Sequence, residues 1–424
     1  MISSRMKIYT LFVLTAINLV NYLDRFIISA LLPFIKADLH LTDAQLGLLH
    51  TAFTIGYLAS SPILGLLGDR MSRKWLASSC VFLWSIATAL SGKAQTYGAL
   101  HTIRAVVGVG EAGYGPVAPT IISDSYSEQV RSRMLSIYFI GTPLGSAIGI
   151  ILGGQWGQHF GWRTAFLVAA IPGLILAILA LFIREPARSA DPIRTPSILE
   201  TWSQLFKTPS YVYNVLGTTA LTFAVGGLAY WYPTFLSRIR GWEVGQATQL
   251  FGSTTVIAGV TGTMFGGFLA DSWHKQNRKA YFLVSAIGML LAAPTAVASI
   301  LIESKAWAFP FVFLTIFFLF FNTGPLNAAI LSVVHPRMRA TAMAINILVI
   351  HLLGDAISPV LIGKISDLTQ SLTIGMLLGC VTIPIGGLIL FGGANHLKED
   401  QEKILKGRDS LRPVGPGNRA IRAR

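Results

Sequence analysis

Charge is what this chain has least of. Only 12% of its 424 residues are Asp, Glu, Lys or Arg, whereas a soluble domain carries about 25%. Hydrophobic residues make up 53%, and the mean hydropathy is +0.60. So few charges cannot cover so much apolar surface in water, which excludes a soluble globular fold. Cysteine is nearly absent. Cys80 and Cys380 both fall inside apolar runs, so a disulfide framework and a cysteine metal site are excluded. No Asn-x-Ser/Thr sequon occurs, which suits a bacterial inner membrane. A phosphate cradle is missing too: Gly108-Val-Gly110 lies in an apolar stretch with no preceding strand. With no nucleophile beside a base and no ligand cluster, an enzyme and a resident cofactor are not expected.

The apolar runs are the right length for bilayer spans, which need about 20 residues each. Twelve can be marked, at roughly 8–33, 43–68, 75–93, 97–123, 134–158, 163–183, 211–236, 247–270, 280–302, 307–334, 339–362 and 371–395. The first is not a cleaved leader, because it carries Asn18, Asn21, Asp24 and Arg25 and lacks a small-residue cleavage site. Net charge is +14. With the N-terminus cytoplasmic, about 24 Lys/Arg fall in cytoplasmic segments and about 7 outside, the asymmetry of the positive-inside rule. The positive balance therefore reports topology and anionic lipid rather than nucleic acid, and both termini are expected in the cytoplasm of a cell membrane. One connection is long and proline-bearing, with Pro186, Pro192, Pro196 and Pro209. It divides the chain into a six-helix bundle at 1–183, a linker at 184–210, a second six-helix bundle at 211–396 and a basic tail at 397–424. The linker has room for a short amphipathic helix near Leu199 to Phe206.

Ionisable residues inside spans are costly and are candidates for function. They are Asp24 and Arg25 in span one, Arg104 and Glu111 in span four, and His351 and Asp355 in span eleven. Counting about 1.5 Å per residue from the outer span ends puts Asp24 roughly 14 Å deep and Arg104 roughly 11 Å deep. That shared level predicts an Asp24–Arg104 pair, with Glu111 two turns further in. A carboxylate there is stable ionised beside a cation or neutral and protonated, so switching between the two is a route to proton coupling. His351 and Asp355, four apart, are neighbours on one face and form a pH-sensitive pair. For each of these groups the competing reading is a structural stitch between helices. Asn322 and Asn327 are expected to line a cavity together with Tyr230. Trp231 and Tyr232 are expected in an outer aromatic belt. Gly141, Gly145, Gly149 and Gly153 mark one helix face, either as fixed packing or as a sliding seam.

Two turns repeat. Gly65-Leu-Leu-Gly-Asp69-Arg70-Met-Ser-Arg73-Lys74 leaves span two, and Gly266-Gly-Phe-Leu-Ala-Asp271, followed by Arg278-Lys279, leaves span eight. Their aspartates are about 200 residues apart, which points to two similar halves with a path between them. The first turn resembles the loop after the second helix of the major facilitator superfamily. Four further stretches resemble its Spinster family: Asn21-Tyr-Leu-Asp-Arg25; Gly108-Val-Gly-Glu-Ala112 with Ala118-Pro-Thr120; Arg131-Ser-Arg133; and His351-Leu-Leu-Gly-Asp-Ala-Ile-Ser-Pro359. The resemblance implies a monomeric, all-α, proton-sensitive carrier of amphiphilic lipids such as lysophospholipids and sphingoid lipids, working by alternating access. It makes Asp24 and Glu111 proton-responsive acids, with Arg25 and Arg104 as their basic partners near Asn21. Asp69 becomes a gate at the N-terminus of span eleven, and Arg73 a partner of Asp124. The second half departs from this pattern, since span ten ends in His335-Pro336-Arg337 with no acid. A symporter of small organic anions such as sugar acids, held by Arg25 and Arg104, is the alternative within the fold. A sensor built on the transporter fold is a third reading.

Overall fold

A computed structural model of the chain describes residues 3–186, 198–335 and 338–410. Among these there are sixteen α-helices. They are α1 (Ser4–Leu39), α2 (Asp43–Arg70), α3 (Arg73–Ser91), α4 (Tyr97–Ala112), α5 (Tyr114–Ser125), α6 (Glu128–Phe160), α7 (Trp162–Ala180), α8 (Ile198–Phe206), α9 (Pro209–Arg238), α10 (Val244–His274), α11 (Ala280–Leu301), α12 (Lys305–Phe320), α13 (Thr323–Val333), α14 (Arg339–Ile350), α15 (Ser358–Thr369) and α16 (Leu372–Ser410). Ten helical stretches are long and apolar enough to cross a membrane. The chain is a multi-pass integral membrane protein. An all-helical answer is forced by hydrocarbon, where each backbone N–H and C=O must be paired within the protein. Helix α3 and the α4–α5 pair are not among the ten. Part of the linker, residues 187–197, and the tail beyond 410 lie outside the described residues. The expected linker helix is present as α8.

Three spans are interrupted. Helix α4 passes to α5 at Gly113, and α12 passes to α13 at Asn322. Between α14 and α15 the chain makes a π-helical turn over His351–Asp355. Such turns leave the regular ladder locally unsatisfied and often sit at functional sites. The helix hairpin α1–α2 is set by local chemistry. His40 closes α1 in the left-handed region at φ 51°, and Thr42 with Gln45 forms a capping box on α2.

The glycine stripe is a close-packing face. Added Cβ atoms at Gly145 and Gly149 would overlap the backbone carbonyls of Leu19 and Leu23, so the stripe lets α6 lie against α1 within the first half. The seam between the halves uses other residues of α6: Gly154 against Thr248, and Ala147 and Ile151 against Gly252. Trp231 and Tyr232 are corrected. They are 0% and 4% exposed, and their polar atoms donate to Pro359 O at 2.9 Å and Ser299 O at 3.1 Å. They are core residues with satisfied donors, because they pack against the start of α15 and against α11.

Candidate functional site

The chain termini define a proximal end, where Tyr126 Oη donates to Lys7 O and Ser210 Oγ donates to Asp400. At the opposite, distal end the two halves are joined. Asp43, at the first turn of α2, receives both Arg238 nitrogens at 2.7 and 2.6 Å, Lys36 Nζ at 2.5 Å and Ser366 Oγ at 2.6 Å. Asp367, at the end of α15, accepts from the backbone N–H groups of Asp43 and Ala44 at 2.9 and 2.8 Å. A carboxylate thus meets the positive end of a helix dipole across the seam. Gly363 allows the approach, since a Cβ there would overlap the Asp43 carbonyl. Tyr230 Oη to Leu46 O at 2.7 Å and Thr51 Oγ1 to Ala356 O at 2.5 Å continue the closure inward.

Below this latch the halves part around a cavity of about 630 Å³. Its first-half wall comprises Tyr22, Arg25, Phe26, Ser29 and His50, and its opposite wall includes Asn322, Asn327, Asn346, His351 and Asp355. The lining extends to Asn214 and Met343, within five residues of the proximal starts of α9 and α14. Gly65, near the proximal end of α2, has no neighbour within 4 Å of where a Cβ would stand. A second cavity of about 580 Å³ runs between α6 and α10. It shares Tyr22, Phe26, Val225 and Phe320 with the first. It is lined mostly by apolar side chains and reaches Phe139 and Met264, which are 53% and 70% exposed. A polar chamber and an apolar arm therefore adjoin one another across these shared side chains, and the arm ends at the outer flank of the helices.

The buried charges pair differently from the expectation. Glu111 Oε2 accepts from Arg25 Nε at 3.1 Å and from Nη2 at 2.8 Å. Asp24, 2% exposed, accepts from the Thr88 hydroxyl, and its Oδ1 has no partner. Arg104 is also buried. Its Nε and Nη1 are without hydrogen bonds, and its guanidinium lies 5.3 Å from the Phe53 ring centre. Arg25 stands 5.1 Å from the same ring, so both cations draw on the Phe53 π-system. Asp24 and Arg104 thus make no direct ion pair, although Arg104 is near enough to act on Asp24 through space, and the direct contacts are Arg25–Glu111 and Asp24–Thr88. The reason is that helix ends do not share a level: Thr88, three residues from the end of α3, reaches Asp24, fifteen residues from the end of α1, so counting residues from span ends does not identify partners.

The other expected residues divide. His351 Nδ1 lies 3.0 and 2.9 Å from the two oxygens of Asp355, inside the π-turn and on the cavity wall. Arg73 Nη1 reaches Asp124 at 2.6 Å, as the resemblance implied. Asn21 is buried, with Nδ2 unpartnered, and does not line either cavity. Asp271 accepts only locally, from Tyr281 Oη at 3.3 Å. Arg70 is exposed. Lys74 Nζ donates to Leu181 O at 3.3 Å, tying α3 to the end of α7. The side chain of Asp69 lies outside the described residues.

The chain matches the Major Facilitator Superfamily model over residues 14–359. It is 36% identical to protein spinster homolog 1 of Xenopus tropicalis over 392 residues, covering 87% of this chain and 74% of that protein. The chain belongs to the Spinster family. A second Spinster relative, the sphingosine-1-phosphate transporter SPNS2 of Xenopus tropicalis, is 32% identical over 96% of this chain and 85% of its own length. The fold is shared with the crystal structure of a bacterial homolog to the human lysosomal transporter Spinster in an inward-facing and unoccupied conformation. That match has a TM-score of 0.81 and 24% identity over 96% of this chain and 99% of that one.

Within this Spinster chain several site residues escape a reading of the sequence. His50 lines the polar chamber with its ring 5.2 Å from that of Tyr230. A lone histidine in an apolar run carries no spacing signal. Thr88 is an ordinary small polar residue until Asp24 is placed beside it. Glu185, in the linker, accepts from the N–H of Lys74 at 3.0 Å and from Ser72 Oγ at 2.9 Å, capping α3 from 111 residues away. The latch of Asp43, Arg238 and Asp367 reads in sequence as plain helix ends.

Proposed function

We propose that this Spinster-family protein is a secondary transporter that carries a lipid-like amphiphile by alternating access, with its flux sensitive to protons. The observation that carries this reading is the two-part space. A polar chamber with Arg25 suits a charged head group. The apolar arm, open at Phe139 and Met264, suits an acyl or sphingoid chain entering from the bilayer. The SPNS2 relative is by its name a transporter of such a molecule. A sugar acid would leave the arm empty, so the small-anion symporter is the weaker reading. For the sensor reading no observation speaks.

In this account α3 and α4–α5 complete twelve spans in two six-helix bundles, residues 1–183 and 211–396, joined by the linker at 184–210. Both termini and the basic tail are cytoplasmic in the cell membrane, and the protein works as a monomer. The distal latch is then the closed outer gate, and the chamber faces the cytoplasm. Closing that side brings Gly65 and the Asp69 turn against the start of α14, with Arg70, Arg73–Asp124 and Lys74 bracing the turn. Asp271 braces the second half. When both acids are ionised, Asp24, Glu111, Arg25 and Arg104 balance to zero. A proton on either acid leaves a net positive charge in hydrocarbon, which has to be relieved by an anionic head group or by opening to water. His351 and Asp355 repeat this device on the facing wall. Arg25, Arg104, Tyr230, Asn21, Asn322 and Asn327 serve the head group or the charges beside it.

The test is flux in proteoliposomes with an imposed pH gradient. Labelled lysophospholipid should be moved, with excess unlabelled lysophospholipid reducing the signal and gluconate not reducing it. Movement of gluconate, or its competition with the lipid, would favour the small-anion symporter instead.

A further inference from the structure

The π-turn of span eleven is held from two sides. Pro359 has no N–H to offer the Asp355 carbonyl four residues back, and the ladder changes step just ahead of it. Ala356 N donates to His351 O at 3.0 Å, five residues away, and Ile357 N donates to Gly354 O at 3.2 Å, three residues away. On its own half the turn is seated on α9. A Cβ at Gly226 would overlap the Asp355 Cβ, and Trp231 Nε1 donates to Pro359 O at 2.9 Å. From the opposite half α2 reaches the same stretch. A Cβ at Gly47 would overlap the Pro359 carbonyl, and Thr51 Oγ1 donates to Ala356 O at 2.5 Å.

A threonine hydroxyl has one proton to donate. Thr51 has a second acceptor within reach, Gly47 O of its own helix at 3.5 Å, the position to which helical threonines back-bond. The shorter bond, to Ala356, is the one that holds while the distal ends meet. When they part, the hydroxyl returns to Gly47 and α2 loses nothing. The turn loses its partner from the other half and keeps its seat on α9. Resting on the alternating-access reading above, we propose that Thr51 is a positioning residue for the His351–Asp355 pair, acting across the seam through the π-turn. The pair occupies the first and last places of that turn and shares the chamber with Arg25, His50 and Tyr230. A one-residue change of step inside the turn rotates one member against the other by about 100°. Closure at the distal end and the geometry of a pH-sensitive pair are linked through one hydroxyl.

The test is hydrogen exchange of the full-length protein in nanodiscs, with the distal ends held together by a flexible bismaleimide between Ala37→Cys and Gln370→Cys. Thr51→Val keeps the shape and removes the donor. The amides of 352–357 should then exchange about three- to tenfold faster, the factor set by one net hydrogen bond. Thr51→Ser keeps the hydroxyl and should exchange like the parent. Histidine-labelled NMR, assigned through His351→Gln, adds a readout that plain packing would not move. The titration midpoint of His351 should shift in Thr51→Val and return in Thr51→Ser. Without the cross-link, Asp43→Asn should free the same amides by a similar factor. Unchanged exchange or an unchanged His351 midpoint in Thr51→Val, or a Thr51→Ser protein that behaves like Thr51→Val, would reduce Thr51 to packing. Distal ends that part in Asp43→Asn over a turn that stays protected would overturn the link and leave alternating access intact. Distal ends that part in no variant and at no pH would remove the alternating-access reading and the proposal with it.

Discussion

In liposomes with an imposed pH gradient, Asp24→Asn should reduce the stimulation of lipid flux by the gradient to a ratio of about 1, because an amide has no ionisation state to couple. The substitution keeps shape. Thr88 can still donate to the retained oxygen, and no carboxylate remains to strand. The loss should therefore appear in pH dependence rather than in folding. Glu111→Gln behaves differently. It removes the partner of Arg25 at a side chain with no exposure of its own, and breaking a buried pair costs about 3–5 kcal/mol. Arg25 keeps some exposure and the faces of Tyr22, Phe53 and Tyr57, which puts the cost near the lower end of that range. Thermal stability in detergent separates the two variants: Asp24→Asn should melt near the wild type, and Glu111→Gln lower. If Asp24→Asn keeps wild-type pH dependence, Asp24 is a structural group held by Thr88 and nothing more.

Asp43→Asn should shift the conformational balance. Asp43 is the point where Arg238, Lys36 and Ser366 converge, and its side chain is 4% exposed. Losing that charge weakens only the state in which the distal ends meet. A loss of about 2 kcal/mol moves a two-state balance by roughly thirtyfold toward the distally open form. Asp367→Asn should act in the same direction and more weakly, since a capping carboxylate at a helix N-terminus contributes about 0.5–2 kcal/mol. Spin labels at the exposed positions Ala37 and Gln370 read the distal separation. A distance distribution that stays at the wild-type value in Asp43→Asn would show that the latch follows closure rather than holding it. The device mirrors the expected role of Asp69. There a carboxylate at the end of span two meets the start of span eleven; here Asp367, at the end of span eleven, meets the start of α2.

The elements legible in the sequence are those fixed by local rules. Long apolar runs mean helices because lipid offers backbone groups no partner, and the six intramembrane charges stand out against an apolar background. Arg73 with Asp124 followed from a motif. What escaped depends on where helices stop and on what lies across the seam. Counting from span ends assumed that the ends share one level, which the contact between Asp24 and Thr88, near the end of α3, shows they do not. Trp231 and Tyr232 looked interfacial because they lie near the end of the span, whereas they pack against the start of α15 at Pro359 and against α11 at Ser299. The latch joins residues 195 and 324 positions apart, and no spacing within one segment reveals such partners. The apolar arm is built by α6 and α10 with α1, α9, α11 and α12, each of which alone gives no sign of it.

The most direct test of the central claim is where the tail of the substrate sits. A lysophospholipid with a photoactivatable diazirine at the end of its acyl chain, bound to the purified protein and irradiated, should attach to residues of the apolar arm, foremost Phe139 and Met264. The polar chamber around Asn346 and His351 should remain unlabelled by that probe. Attachment confined to the chamber, or labelling spread evenly over the lipid-facing surface of α3 and α7, would contradict a carrier that holds the head between its halves and the tail between α6 and α10.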